Sequence, residues 1–300
     1  MQPTVFRDPA RPAPRFRPFK ALAHFRKLLK DKEDTEQVFH IFECLPRKGF
    51  LPEANAFLGG DSSMQCVPFV LGAAGDAQPM STQPQSLSGA GFLPEARAFV
   101  ESPKGQRLMA SEPYLPTILD DHDTLKRLPV GTVGRAYVDF MEREGLSAAG
   151  LVAESDKMRG NKPHYNDQLE WYGNRLRDTH DLLHVLTGYG RDALGEQCVL
   201  GFTYGQNRNL GNLFISYLGG LELQRKIKVG APVLKAIRQG QRHGRAAANI
   251  VDESIVDLLA EPIEDARKRL NIGQPTQYRA AHNTYRARGI DPYNFLAAAV

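Results

Sequence analysis

The 300-residue chain is nearly free of alternating apolar and polar runs. Its apolar residues instead return every three or four positions, behind side chains suited to capping helices. That rhythm restricts the fold to a mainly α class with any sheet minor. Thr132 precedes a segment in which Val133, Tyr137, Phe140 and Met141 share one side, and Ser147 precedes the next. Tyr165–Leu186 reads as one long helix stopped by Gly188 and Gly190, with Asp192 placed to start its antiparallel successor. Helices over Leu210–Leu223, Val233–Arg242, Val251–Leu259 and Ile263–Leu270 follow, the last opened by Pro262. Hydrophobic residues make up 42% of the chain and are spread along it, enough to fill one core. A single helical domain is therefore expected over residues 19–272, carrying its chemistry on a helix pair.

The flanks read differently. Residues 1–18 are rich in Pro and Arg and predict a flexible tail, after which a helical pattern runs from Phe19 through Leu28 and Leu29 and a second from Asp34 to Leu45. The segment Gly49-Phe50-Leu51-Pro52-Glu53-Ala54-Asn55-Ala56-Phe57 returns as Gly91-Phe92-Leu93-Pro94-Glu95-Ala96-Arg97-Ala98-Phe99. One repeat does not make a solenoid. The Gly-, Ser-, Gln- and Pro-rich stretch 58–90 between the copies reads as a flexible insertion from a local duplication, and regular structure is expected to resume at the second copy. Residues 273–300 read as a C-terminal tail.

The formal net charge is +4, from 38 Lys and Arg against 34 Asp and Glu, and the aromatic residues are dispersed. Nucleic-acid binding has no support in that pattern. Basic residues concentrate between Arg7 and Lys30, where a solvated tail and a contact with an anionic membrane surface are both consistent readings. Cys44, Cys66 and Cys198 are widely spaced and lack a CxxC pair, which points to a reducing compartment and away from a disulfide framework or thiolate zinc site. No apolar run reaches the ~20 residues needed to span a bilayer. The Arg-rich start resembles an organelle transit segment in composition, but Pro3, Pro9, Pro12, Pro14 and Pro18 oppose the amphipathic helix such segments form.

At about 100° per residue, His180 and His184 lie about 40° apart around a helix and Asp181 about 60° beyond His184, so one arc holds all three. Two imidazoles and a carboxylate on one arc suit zinc, ferrous iron or manganese. Eleven residues separate His184 from Glu196, and the glycines among them permit a tight reversal that would return Glu196 to the histidines. Four N and O ligands from two helices, with positions left for water or substrate, would make a catalytic site. An HxxxH pair by itself also occurs in ordinary cores and surfaces.

The motif His180-Asp181-x-x-His184, eleven residues and Glu196 resembles the signature of the ubiquinone (coenzyme Q) biosynthesis Coq-four family. Asp31-Lys32-Glu33-Asp34-Thr35, Leu128-Pro129-x-Gly131-Thr132-x-Gly134-Arg135-x-Tyr137 and Pro262-Ile263-x-x-Ala266-Arg267-x-x-Leu270-x-Ile272 are similar to stretches of that family in the same order. The resemblance implies a helical fold and a divalent metal, zinc first, on His180, Asp181, His184 and Glu196 as ligands and catalytic residues. It also implies a role as a carbon-carbon lyase on a polyprenylated 4-hydroxybenzoate, which loses its carboxyl group with or without coupled hydroxylation at that carbon. Other ubiquinone biosynthesis proteins, a membrane surface and further copies of the chain are the partners to expect. The setting implied is the cytoplasmic face of the inner membrane in a bacterium, or the matrix face of the mitochondrial inner membrane in a eukaryote. Arg191 in the turn could neutralise an anionic head group. The stretch Cys198–Leu223 offers apolar residues (Val199, Leu200, Phe202, Leu210, Leu213, Phe214, Leu218 and Leu221) for a prenyl slot or for an ordinary core. Two other functions fit parts of the pattern: a non-catalytic scaffold or prenyl-lipid carrier, and a metal-dependent phosphohydrolase drawing on His122, His164 and Asp252.

Overall fold

A computed structural model describes residues 4–10, 17–30, 41, 44–45, 92–159 and 163–294. The Asp31–Thr35 motif, most of the 34–45 helix, the first repeat copy, the 58–90 insertion and Cys66 lie outside the described residues.

Among the described residues the regular structure is helical, with a single isolated bridge between Thr132 and Pro262. The helices are α1 Pro18–Lys30, α2 Phe92–Val100, α3 Pro103–Ser111, α4 Pro116–Leu119, α5 His122–Leu125, α6 Val133–Glu144, α7 Ala148–Arg159, α8 Gln168–Asp178, α9 His180–Thr187, α10 Ala193–Asn207, α11 Leu210–Lys226, α12 Val233–Ala246, α13 Ile255–Ala260, α14 Ile263–Arg269 and α15 Thr276–Arg286. The second repeat copy is the start of α2, and Pro94 sits in its first turn, where a missing N–H costs nothing. Thr132 caps α6 through its hydroxyl, and Ser147 accepts from Gly150 N at the head of α7.

The main core lies between α6, α9, α10, α12 and α15. Val133, Tyr137, Phe140 and Met141 of α6 are all buried in it, as their spacing predicts. Helices α10 and α12 approach closely because their facing residues are glycines: a methyl at Gly205 or Gly244 would overlap backbone of the opposite helix. Val199 and Phe202 are fully enclosed there, so these members of the expected slot are core. Leu200, Leu213, Phe214 and Leu218 are only partly buried and lie under α1, whose Ala21 and Phe25 pack on them. Phe25 meets Phe214 edge-on at 5.7 Å between ring centroids. A third cluster joins α2, α3 and α8 through Val100, Leu108, Leu169 and Tyr172.

Two expectations are corrected. The single helix over Tyr165–Leu186 is divided. Asp167 accepts from Glu170 N, so α8 starts only at Gln168. Thr179 then returns its hydroxyl to Arg175 O at 2.9 Å, a local bond that competes with the helical ladder, and α9 starts afresh at His180. The stretch after Ile272 is also more than a tail, because α15 buries Tyr278, Ala281 and Tyr285 in the main core. At the other end, Val5 O and Phe6 O accept from Gln168 N and Leu169 N, which ties residues of the Pro- and Arg-rich start to the head of α8.

Candidate metal centre

Because α9 begins at His180, just after Thr179, His180 and Asp181 fall in its first turn and His184 one turn later. Each of the three offers one ligand atom, and these atoms lie within 4.8 Å of one another. Among the described residues no other three His, Cys, Asp or Glu residues form such a group. Gly188 ends α9 in the left-handed region, at φ 72°, which an L side chain rarely adopts. Asp192 then caps α10 by accepting from Leu194 N and Gly195 N, and Glu196 follows in the first turn of α10. Its carboxylate stands 3.5 Å from His180 Nε2 through Oε2 and 3.5 Å from His184 Nε2 through Oε1. Glu196 therefore meets both histidines, while the three residues whose ligand atoms gather closely enough to hold an ion are His180, Asp181 and His184. His184 is the buried floor, while the side chains of His180 and Glu196 are each 30% exposed and open the site to solvent.

The donor set calls for a cation. His184 Nδ1 is 3.0 Å from Tyr189 O, and since a carbonyl only accepts, Nδ1 carries the proton. In the neutral ring Nε2 is then a bare lone pair, buried, without a hydrogen-bond partner, and facing a carboxylate. Two acceptors pointed at each other are unfavourable until a proton or a metal ion lies between them. Burial works to raise the Glu196 carboxyl, but once the two imidazoles carry a proton toward it they outweigh burial and hold the group well below the usual carboxylate range. Burial likewise works to lower His180, and the Glu196 contact, with the charge of Asp181, holds it above its ordinary value instead. Arg191 Nε lies 3.5 Å from Glu196 Oε1 at the rim.

A family model described as "Coenzyme Q (ubiquinone) biosynthesis protein Coq4" matches residues 86–276, which include the whole site. The chain belongs to this family. Among curated Coq4 relatives, a mitochondrial ubiquinone biosynthesis protein of Lodderomyces elongisporus is 26% identical over 64% of this chain and 50% of its own length. Those of Botryotinia fuckeliana and Scheffersomyces stipitis are 25% and 27% identical over 61% and 62% of this chain, and over 62% and 56% of their own lengths. The chain thus matches between half and two thirds of the length of these relatives. A crystal structure of a putative ubiquinone biosynthesis protein from Nostoc punctiforme superposes with a TM-score of 0.55 over 86% of this chain and all of that one, at 16% identity, which shows a shared fold.

Two neighbours of the Coq4 motif have roles that the sequence does not announce. Phe140 stacks on His184 at 5.6 Å, and its periodicity marks it as buried but not as a wall of the site. Arg267 donates to Leu186 O at 2.8 Å and Val185 O at 2.9 Å, placing a cation on the carbonyl end of α9. The residues considered for a phosphohydrolase lie elsewhere. His122 faces Glu142 at 3.7 Å, His164 pairs with Glu170 at 2.8 Å, and neither they nor Asp252 belong to the candidate metal group.

Proposed function

We propose that this Coq4-family chain is a metal-dependent decarboxylase acting in ubiquinone biosynthesis, removing the C1 carboxyl group of a polyprenylated 4-hydroxybenzoate. The observation that carries the reading is the unpartnered Nε2 of His184 set against the Glu196 carboxylate beside His180 and Asp181. These four residues would hold a divalent ion, zinc first, which would supply a Lewis acid for the carboxylate or phenolate and for charge developing on the ring. The chain itself supplies the rest. The 30% exposure of His180 and Glu196 leaves one side for substrate, Arg191 brings positive charge to the rim, and Phe140 backs the His184 ring. In the step, the bond from C1 to the carboxyl carbon breaks, CO₂ leaves, and the electron pair stays on the ring carbon, which takes a proton. The isoprenoid tail is assigned to the partly buried α10–α11 face under α1.

No helix of the described residues is long and apolar enough to cross a membrane. Delivery of so apolar a substrate is assigned to a membrane surface, met by the exposed Lys20, Arg26 and Lys27 of α1, with other ubiquinone biosynthesis proteins as partners.

The test is elemental analysis of the wild-type protein, His184→Ala and Glu196→Ala, followed by CO₂ release from a prenylated 4-hydroxybenzoate and identification of the product. Near-stoichiometric metal in the wild type, lost in both variants together with CO₂ release, is the expected result. A ring C–H at the vacated carbon marks simple loss of the carboxyl group, and a ring C–OH marks coupled hydroxylation. A folded wild type that stays metal-free after incubation with zinc, iron or manganese overturns the reading in favour of a prenyl-lipid carrier or scaffold.

A further inference from the structure

Behind the candidate metal centre, α15 reaches the reversal between the two ligand-bearing helices. Tyr278 donates its hydroxyl hydrogen to Asp192 Oδ2, and its oxygen accepts from Gly190 N at 3.0 Å. His282 Nε2 lies 3.1 Å from Asp192 Oδ1. The Asp192 side chain is fully enclosed and that of His282 nearly so. Capping α10 requires one oxygen of Asp192, Oδ1, which meets Leu194 N and Gly195 N. Among the described residues the second oxygen accepts from Tyr278, a bond the cap does not need.

The peptide unit in the middle gives the arrangement its consequence. The amide N–H that Tyr278 holds belongs to Gly190, and the carbonyl of that same peptide belongs to Tyr189 and accepts from His184 Nδ1. One rigid peptide plane therefore connects the α15 hydroxyl to the ligand imidazole. The other end of the network, Asp192, fixes the helix start from which Glu196 projects. The reversal has no slack: a methyl at Gly190 would overlap the hydroxyl of Tyr293, and one at Gly195 would overlap Gly190 O.

We propose that Tyr278, together with Asp192 and His282, is a set of positioning residues that locks the His184 tautomer and holds Glu196 opposite it. Hydrogen bonds in series polarise one another, so the Tyr278 bond to Gly190 N strengthens the Tyr189 carbonyl as an acceptor and makes His184 Nε2 a better ligand. The family match covers residues 86–276, so Asp192 lies within it while Tyr278 and His282 lie beyond its end. The part of the inference that concerns ligand strength rests on the metal reading above; the part that concerns the tautomer does not.

The experiment compares wild type, Tyr278→Phe and Thr276→Ala. Thr276 anchors α15 to Gln239 at 2.8 Å without entering the network, so it reports what loosening the helix does by itself. In metal-free protein, the side-chain nitrogen shifts of His184 are read by NMR. The wild type and Thr276→Ala are expected in the Nδ1-protonated form, with Tyr278→Phe showing mixed tautomers and faster exchange of the Gly190 amide. Titration with Co²⁺ alone should then give affinity about 10-fold or more weaker for Tyr278→Phe, with an altered visible spectrum, and little change for Thr276→Ala. Unchanged His184 shifts and Gly190 exchange in Tyr278→Phe overturn the proposal, as does an equal loss of affinity in both variants. A wild type that takes up no Co²⁺, with the tautomer change still seen in Tyr278→Phe, defeats the metal reading and leaves the positioning role standing.

Discussion

The Glu112–Arg175 pair and the cluster of His180, His184 and Glu196 both bring opposite charges into a helical interior, and they differ in what is left over. Arg175 and Glu112 meet at 2.8 Å with side chains only 1% exposed. Arg175 also donates to Val251 O at 2.8 Å and to Glu253 O, while the second oxygen of Glu112 accepts from Ser254 Oγ at 3.0 Å and Val256 N at 3.1 Å. That network is closed, and it ties α8 to the segment after α3 and to the head of α13. The histidine cluster is open. Its carboxylate is 3.5 Å, beyond a short charge-assisted bond, from each imidazole, and a buried ring nitrogen has no hydrogen-bond partner. Charge in the first cluster is spent on holding the fold, and charge in the second is kept for something that arrives.

The largest expected effect breaks the closed cluster. Arg175→Met leaves Glu112 buried with only its neutral donors, and should lower stability by about 3–5 kcal/mol in urea denaturation. Metal bound per folded molecule should not change; a variant that stays as stable as wild type would show that the pair is not what holds these segments together.

The next sharpens the open cluster. At a zinc concentration about 100 times its dissociation constant, the wild type should gain about 2.7 kcal/mol, reversed by a chelator. Glu196→Gln should gain little under the same conditions, while its metal-free stability stays within about 1 kcal/mol of wild type. Equal metal-dependent stabilisation of both proteins would remove Glu196 from the site.

The smallest concerns Asp252, beside the closed cluster. Burial raises its carboxyl to about 6, with the charges of Lys104 and Arg175 opposing the shift only in part. The folded chain therefore holds this proton more tightly than the unfolded chain does, and stability should fall as pH rises from about 4 to about 6 before levelling off. Asp252→Asn should flatten that decline, gaining on the order of 1 kcal/mol above pH 6 and little below pH 4. An unchanged stability–pH profile would show that Asp252 keeps enough solvent to ionise normally.

Much of this contrast was hidden in the primary structure. Glu112 and Arg175 look like surface residues of two amphipathic segments, and nothing in their spacing announces a buried pair. The four motif residues were legible because their chemistry is local: three lie within five positions on one helix, and the fourth follows a glycine-marked turn. Thr179 does not announce a break, because a hydroxyl can either ride along a helix or bond back to it, and the packing around α8 and α9 decides which.

The sequence by itself determined the helical class, the caps at Thr132, Ser147 and Asp192, the left-handed stop at Gly188 and the candidate metal group of His180, Asp181 and His184. Each of these depends on contacts within a few residues, or on a periodicity that survives in any context. Tertiary structure alone decided that α15 belongs to the core, that Tyr278 holds the peptide that orients His184, that the glycines of α10 and α12 close a gap, and that Arg175 is buried while Arg191 is not. Those outcomes depend on partners 36 to 90 positions away, whose approach is set by how whole helices pack.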